Sequence, residues 1–394
     1  MEHKYRRTVV ASYLGYGTQA IVNNFAPLLF VIFQKEFQIS VSQIGFLVTF
    51  NFLIQILTDY VSAKFVDRVG YKICIIAAHI FSAAGLVGLG ILPDLFSNPY
   101  TGLLTAIAIY AVGGGLIEVL VTPIVEAVPA NVGGSSIPLL HASYPWTHAI
   151  LVVATTLFLR FFGSQNWRML TFIWALVPAF NIFLYAVSPI HMLNEKTESI
   201  PVRKLFSMKL FWLLVVLMIC SGASEQAMVQ WASYFAEKGL NVEKSVGDLI
   251  GPCMFAILMG IVRVGYGIKG DKISMQKTLT VCGILCIISY LTAVFAPHPI
   301  ISLIGCGVCG ISVALMWPGV FTLAARTCPE GGTAMFAYLA LAGDVGCSAG
   351  PSVVGLVSEA CSGMLKMGIL AAIIFPLGLI IGIRMLKTRK AGLK

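Results

Sequence analysis

The sequence predicts an all-α membrane protein of twelve transmembrane helices arranged as two pseudo-symmetric six-helix bundles. Three observations carry that prediction. The 394 residues are 58% apolar and only 11% charged, with a mean hydropathy of +0.89, whereas a soluble chain is about half apolar and a quarter charged. Twelve apolar runs approach or exceed the roughly 20 residues a helix needs to cross the hydrocarbon layer. Landmarks of the first half also return in the second at a constant offset. This composition excludes an ordinary cytoplasmic enzyme, and the runs lack the residue-by-residue alternation of a β-barrel.

In order, the runs fall at 9–33, 42–65, 72–92, 100–125, 136–162, 168–188, 209–236, 245–268, 276–296, 299–325, 331–358 and 362–386; they are spans 1 to 12 below. Met1 to Arg7 is a short charged head, and the run after it is too long for a signal-peptide core. With the N-terminus placed inside, 19 of the 26 Lys and Arg lie on that side, 6 on the other, and Arg263 within a span. The positive-inside rule therefore predicts that both termini are cytoplasmic, in a bacterial inner membrane. The net charge of +9 is read as attraction to anionic inner-leaflet lipid, not to nucleic acid. Nearly all ten cysteines fall within spans. Cys306 and Cys309 are read as packing residues, since no His or carboxylate accompanies them at ligand spacing. Neither metal nor cofactor is expected.

Residues 189–208 form the one long polar stretch inside the chain. They divide it into an N-terminal six-helix bundle (1–188), a cytoplasmic linker (189–208) and a C-terminal six-helix bundle (209–394). AKFVDRVGYK follows span 2 and GIKGDKISMQK follows span 8. An offset of 204 residues carries Asp67 onto Asp271, Arg68 onto Lys272 and Asp59 onto Arg263. Pro123 and Pro318 mark spans 4 and 10. Parallel six-helix repeats of this kind are one of the known transporter architectures.

These features resemble the major facilitator superfamily. The small-x-x-x-Asp-Arg-x-Gly-x-Lys loop after span 2, with Ala63 where glycine is commoner, and Trp167-Arg168 opening span 6 carry the resemblance, which extends over the whole chain. It implies the major facilitator fold, alternating access and a monomer. It also implies a gating role for Asp67, Arg68 and Asp271, where a solvated turn that only sets topology is the alternative. Within the superfamily four segments are similar to the fucose permease branch of sugar:proton symporters: Asn23-Asn24 with Pro27, GGGLIEVLVTP in span 4, Gly222 to Glu225 with Trp231 and Tyr234, and LMWPGVFTLA in span 10. That branch has an aspartate in span 1 where this chain has Asn23-Asn24.

A charge at mid-membrane costs at least ~2.5–3.5 kcal/mol on insertion scales, so each asks for a function or a partner. Glu118, Glu225 and Asp344 are the candidate proton-coupling groups. Burial disfavours an ionised carboxyl and a nearby cation favours it, so occupancy can switch the two states. A structural ion pair is the alternative for Glu118. Asp59 and Arg263, each a turn or two from its loop, are read as braces of the loops or as a gating ion pair. Solute recognition needs amides, hydroxyls and aromatic faces. Gln19, Asn23 and Asn24 in span 1, His141 and Tyr144 in span 5 (with His148 on the same stripe), Gln226, Gln230 and Trp231 in span 7 and Trp317 in span 10 are the candidates. At about 100° per residue, Gln226 and Gln230 share a helix face, whereas Trp231 points away from Glu225.

Two functions compete. The first is proton-coupled import of a small polar solute such as a sugar, by alternating access. The second is a proton-driven exporter of drugs or other organic compounds, which predicts a greasier, aromatic cavity with one acid. The many amides favour the first. A sensor or scaffold is disfavoured, because it needs no buried acid in each half.

Overall fold

The computed structural model describes residues 2–129, 137–190, 202–269, 274–328 and 331–391. Twelve of its helices are long and apolar enough to cross a membrane, and the described residues contain no strand. The chain divides into two compact units, Met1–Asn194 and Glu195–Lys394. Spans 1 to 6 are Tyr5–Phe37, Val41–Ser62, Tyr71–Leu95, Pro99–Glu126, Leu140–Phe162 and Ser164–Val187; spans 7 to 12 are Lys209–Gly239, Lys244–Tyr266, Met275–Phe295, Pro299–Thr327, Met335–Ala360 and Leu365–Leu386. Large apolar side chains such as Ile73, Phe161 and Phe183 in the first unit, and Val281 and Leu356 in the second, stand exposed on the outside. Hydrocarbon is the medium in which such a surface carries no penalty.

Local chemistry sets where the helices start and stop. Ser40 caps span 2 through a capping box, its hydroxyl accepting from Gln43 N and its own N–H donating to Gln43 Oε1. Asn98 and His298 cap spans 4 and 10, each followed by a proline at the first helical position, where a missing N–H costs nothing. One residue, Gly70, joins span 2's helix to span 3. Its φ of +98° is open to glycine and strained for any side chain, which accounts for the glycine of the loop motif.

Prolines break the spans where their missing N–H strands a carbonyl four residues earlier. Span 1 runs as a helix to Asn24 and passes through a 3-10 turn, Ala26–Leu29, before resuming at Phe30. Pro27 is four residues after Asn23. Span 10 is likewise interrupted between Val313 and Met316, and Pro318 is four residues after Ala314. In span 8, Pro252 lies in a π-helical turn, Leu249–Cys253.

Inside the first unit, spans 3 and 4 meet backbone to backbone. A Cβ on Gly85 would come within 2.8 Å of Tyr110 Cα. The core beneath gathers Tyr16, Ile75, Ala78, Ile117, Val121 and Tyr185. A fully buried polar knot ties spans 1, 3 and 6: His79 Nδ1 is 2.8 Å from the Ile75 carbonyl, and Asn181 Nδ2 is 2.8 Å from His79 Nε2 and 2.9 Å from Ala11 O. The Trp167-Arg168 pair closes one end of this unit. Arg168 forks onto Asp94 at 2.7 and 3.0 Å and reaches Glu36 at 2.7 Å, and the Trp167 indole N–H donates to Glu36 Oε2 at 2.7 Å. In the second unit spans 7 and 11 form the glycine seam, where a Cβ on Gly350 would sit 2.5 Å from Ala223 O. All ten cysteines are thiols and nine are buried. Cys309 Sγ lies 3.9 Å from Cys286 Sγ across spans 9 and 10.

Candidate functional site

In the first unit the polar residues of spans 1, 2 and 4 join into one buried ladder. Glu118 Oε2 accepts from Gln19 Nε2 at 3.1 Å, and the same nitrogen donates to Gln55 Oε1 at 3.0 Å. Gln55 Nε2 donates to Asn23 Oδ1 at 2.7 Å, and Asn51 Nδ2 donates to that oxygen at 3.2 Å. Helical spacing puts the parts in reach. Gln19 and Asn23 are i, i+4 on span 1; Asn51, Gln55 and Asp59 are i, i+4, i+8 on span 2. The glycine run of span 4 makes the wall behind them. A Cβ on Gly114 would lie 3.3 Å from Gln19 Oε1, and one on Gly115 would lie 2.8 Å from Asp59 Oδ1. Beside the ladder, Asn24 Nδ2 donates to Tyr144 Oη at 2.9 Å, and Tyr16 Oη lies 3.0 Å from Thr122 Oγ1 and 3.5 Å from His141 Nε2. His141 is exposed and Tyr144 half-buried.

The second unit carries a comparable chain built on a salt bridge. Arg263 Nη2 is 3.5 Å from Glu225 Oε2. Gln226 Nε2 donates to Glu225 Oε1 at 3.3 Å, and Gln230 Nε2 donates to Gln226 Oε1 at 2.8 Å. Arg263 Nε also donates to the Ala314 carbonyl at 3.2 Å. That carbonyl is the one Pro318 leaves without its helical N–H, so the break in span 10 supplies the acceptor that orients the guanidinium. Both units therefore set a carboxylate inside a span against a row of hydrogen-bonded amides, the nearest of which donates to it.

The model of the Major Facilitator Superfamily matches residues 9–351. The chain belongs to that superfamily. It is accordingly a multi-pass membrane transporter of small-molecule substrates and not an enzyme. The fold of this facilitator is similar to the Escherichia coli fucose:proton symporter, FucP, at 16% identity and a TM-score of 0.66, over 98% of this chain and 99% of that one. It is similar to a D-xylose-proton symporter at 14% identity and TM-score 0.73, covering 95% and 96% of the two chains. The nucleoside transporter NupG is matched at 13% identity and TM-score 0.75, over 96% and 98%. No curated protein gives a significant sequence match.

Several sequence expectations for the facilitator change in the folded chain. Trp231, expected among the solute-binding residues, is fully buried; its indole N–H donates to Pro351 O at 3.1 Å, and its ring packs edge-on to Tyr234. It belongs to the seam between spans 7 and 11. Glu225 and Gln226, neighbours in the chain, meet through their long side chains. Arg263 has Glu225 as a carboxylate partner, and Asp59 lies against span 4 at Gly115. Trp317 is half-buried, its ring filling the space that Gly343 leaves without a Cβ. Asp344 is buried on span 11 and Arg68 is exposed. The side chain of Asp67, and Asp271 altogether, lie outside the described residues, as do residues 191–201 of the expected linker. Asn51 and Gln55, central to the ladder, were not among the candidates; their four-residue spacing to Asp59 is the signal that marks them.

Proposed function

We propose that this facilitator imports a small polar solute such as a sugar together with protons, by alternating access, with the ladder around Glu118 as the solute- and proton-handling site. One observation carries the reading: a half-buried carboxylate inside a span is wired through Gln19 and Gln55 to Asn23. An ionised carboxylate only accepts hydrogen bonds, and a protonated one also donates. A proton on Glu118 therefore weakens its claim on Gln19 Nε2, and that change is passed from amide to amide. Solute affinity then depends on the proton, which is the requirement for coupling. Glu225 and Asp344 are further proton-handling candidates, the former balanced by Arg263. Asn24, His141 and Tyr144 extend the solute surface in the first unit, and Gln226, Gln230 and Trp317 in the second. Asp59, Arg68 and Arg263 are assigned to gating. Named transport of fucose, xylose and nucleosides among the structural neighbours supports a neutral, hydroxyl-rich solute. The Lys and Arg tally supports cytoplasmic termini in a bacterial inner membrane, and the architecture supports a monomer.

The test is Glu118→Gln in proteoliposomes, with radiolabelled L-fucose, D-xylose and uridine as first solutes. The variant is expected to lose accumulation driven by a proton gradient while keeping counterflow. Full accumulation by Glu118→Gln removes this residue from coupling. Extrusion of a lipophilic cation by the wild type, with no uptake of a polar solute, would replace import by the exporter reading.

A further inference from the structure

Two oxygens of the ladder, Gln19 Oε1 and Asn51 Oδ1, are buried and accept no hydrogen bond. Both residues are more than nine-tenths buried, at 3% and 4% exposure. Neither amide can relieve this by turning over. Gln19 reversed would aim its oxygen at two acceptors, Gln55 Oε1 and Glu118 Oε2, which now share its N–H group at 3.0 and 3.1 Å. Asn51 reversed would aim its oxygen at Asn23 Oδ1, which already accepts Gln55 Nε2 at 2.7 Å. The orientation is thus dictated link by link from Glu118 outward. Both nitrogens are engaged within the ladder, and the atoms left without a partner at Gln19 and Asn51 are acceptors.

An orphaned acceptor in a low-dielectric interior is costly, and native structures keep one where something else satisfies it. Gln19 faces Gln55, and Asn51 faces Asn23, one helical turn further on. The two residues are therefore offset by about 6 Å along the helix axes, from four residues at 1.5 Å each. That is the reach of two hydroxyls on opposite edges of a six-membered sugar ring.

We infer that Gln19 Oε1 and Asn51 Oδ1 are a paired acceptor site for two hydroxyl groups of the transported solute, with Gln55 the positioning residue that fixes both amides. This rests on the proposed solute-handling role of the ladder and adds what the solute must bring: two donors, neutral, set across a ring. The solute reaches these atoms when the side chains covering them move apart, as alternating access requires.

The experiment measures binding by thermal shift and isothermal titration to the full-length protein in detergent. The probes are D-glucose, D-galactose, D-xylose, L-fucose and uridine, each beside its mono-deoxy derivatives, with glycine betaine and tetraethylammonium as solutes without hydroxyl donors. At least one hydroxylated probe is expected to bind. Two of its hydroxyls should each weaken binding about tenfold when deleted, with Gln19→Met abolishing the penalty at one and Asn51→Leu at the other. The deoxy series on wild-type protein needs no variant to fold. A hydroxylated solute bound equally by wild type, Gln19→Met and Asn51→Leu overturns the acceptor pair yet leaves proton-coupled import of a polar solute standing. Failure of every hydroxylated probe to bind overturns the pair, and binding of only betaine or tetraethylammonium overturns both readings.

Discussion

Replacing Arg263 by Met tests the chain of contacts that joins spans 7, 8 and 10. The change keeps an unbranched apolar side chain and removes the guanidinium. Two groups are then left behind in the second unit. Glu225, whose side chain is 11% exposed, loses a cation 3.5 Å away, and the Ala314 carbonyl loses a donor at 3.2 Å that Pro318 cannot replace. At an effective dielectric of about 20 the lost Coulomb attraction at this distance is about 4–5 kcal/mol. Breaking a buried pair by deleting one member costs ~3–5 kcal/mol in practice, with ~1 kcal/mol for the carbonyl inside that range. A domain of this size loses roughly 2–4 °C per kcal/mol, so the melting temperature should fall by roughly 6–20 °C. Intrinsic-fluorescence melting of detergent-solubilised protein is the assay. The double variant Arg263→Met/Glu225→Gln should recover more than half of the loss, because the stranded charge goes with its partner. An Arg263→Met protein melting within about 2 °C of wild type, or a double variant no better than the single, would refute the reasoning.

The other expectations are briefer. Pro318→Ala returns an N–H to the Ala314 carbonyl in competition with Arg263, so span 10 should straighten, and transport in proteoliposomes should fall much further than the melting temperature. Lys244→Met strands Asp248, which is fully buried and held by Lys244 Nζ at 3.0 Å and by the Ser233 hydroxyl. A loss of ~3–5 kcal/mol is expected, with substantial rescue by Asp248→Asn in the same melting assay. Gly85→Val puts a Cβ 2.6 Å from Tyr110 Cβ in a seam with no room to yield. It should cost at least the ~1–3 kcal/mol typical of overpacking and reduce the yield of monodisperse protein on gel filtration.

Spans, and the spacing of polar residues within each span, were legible in the sequence because they depend on local composition and helical period alone. The twelve apolar runs are all helices, and Gln19 with Asn23 sits on one face as i, i+4 requires. Partners were not legible. That Glu118 reaches Gln19, or that Arg263 reaches Glu225, depends on which helices pack together, and nothing in one helix's periodicity encodes its neighbour. Trp231 misled for the same reason: an aromatic near polar residues suits a solute as well as it suits a packing layer, and only the Pro351 carbonyl decides. In span 2 the charge of Asp59 is the stronger signal, and Asn51 and Gln55 are uncharged. Amides are cheaper than charges inside a membrane, yet their four-residue repeat up to Asp59 was present in the sequence throughout. The span breaks were half legible, since a proline marks where a carbonyl is stranded but not which side chain comes to meet it.

The glycine seams also bear on how each six-helix unit deforms. Where two main chains touch with no side chain between them, there is no compressible layer to absorb small slips. Gly85 against Tyr110 and Gly350 against Ala223 therefore act as welds. Strain introduced elsewhere in a unit must collect at the interrupted stretches of spans 1 and 10, beside Asn23 and Ala314. The polar ladder and the Arg263 contact begin at the same two places, so mechanical compliance lies beside the buried polar groups while the remaining turns stay stiff.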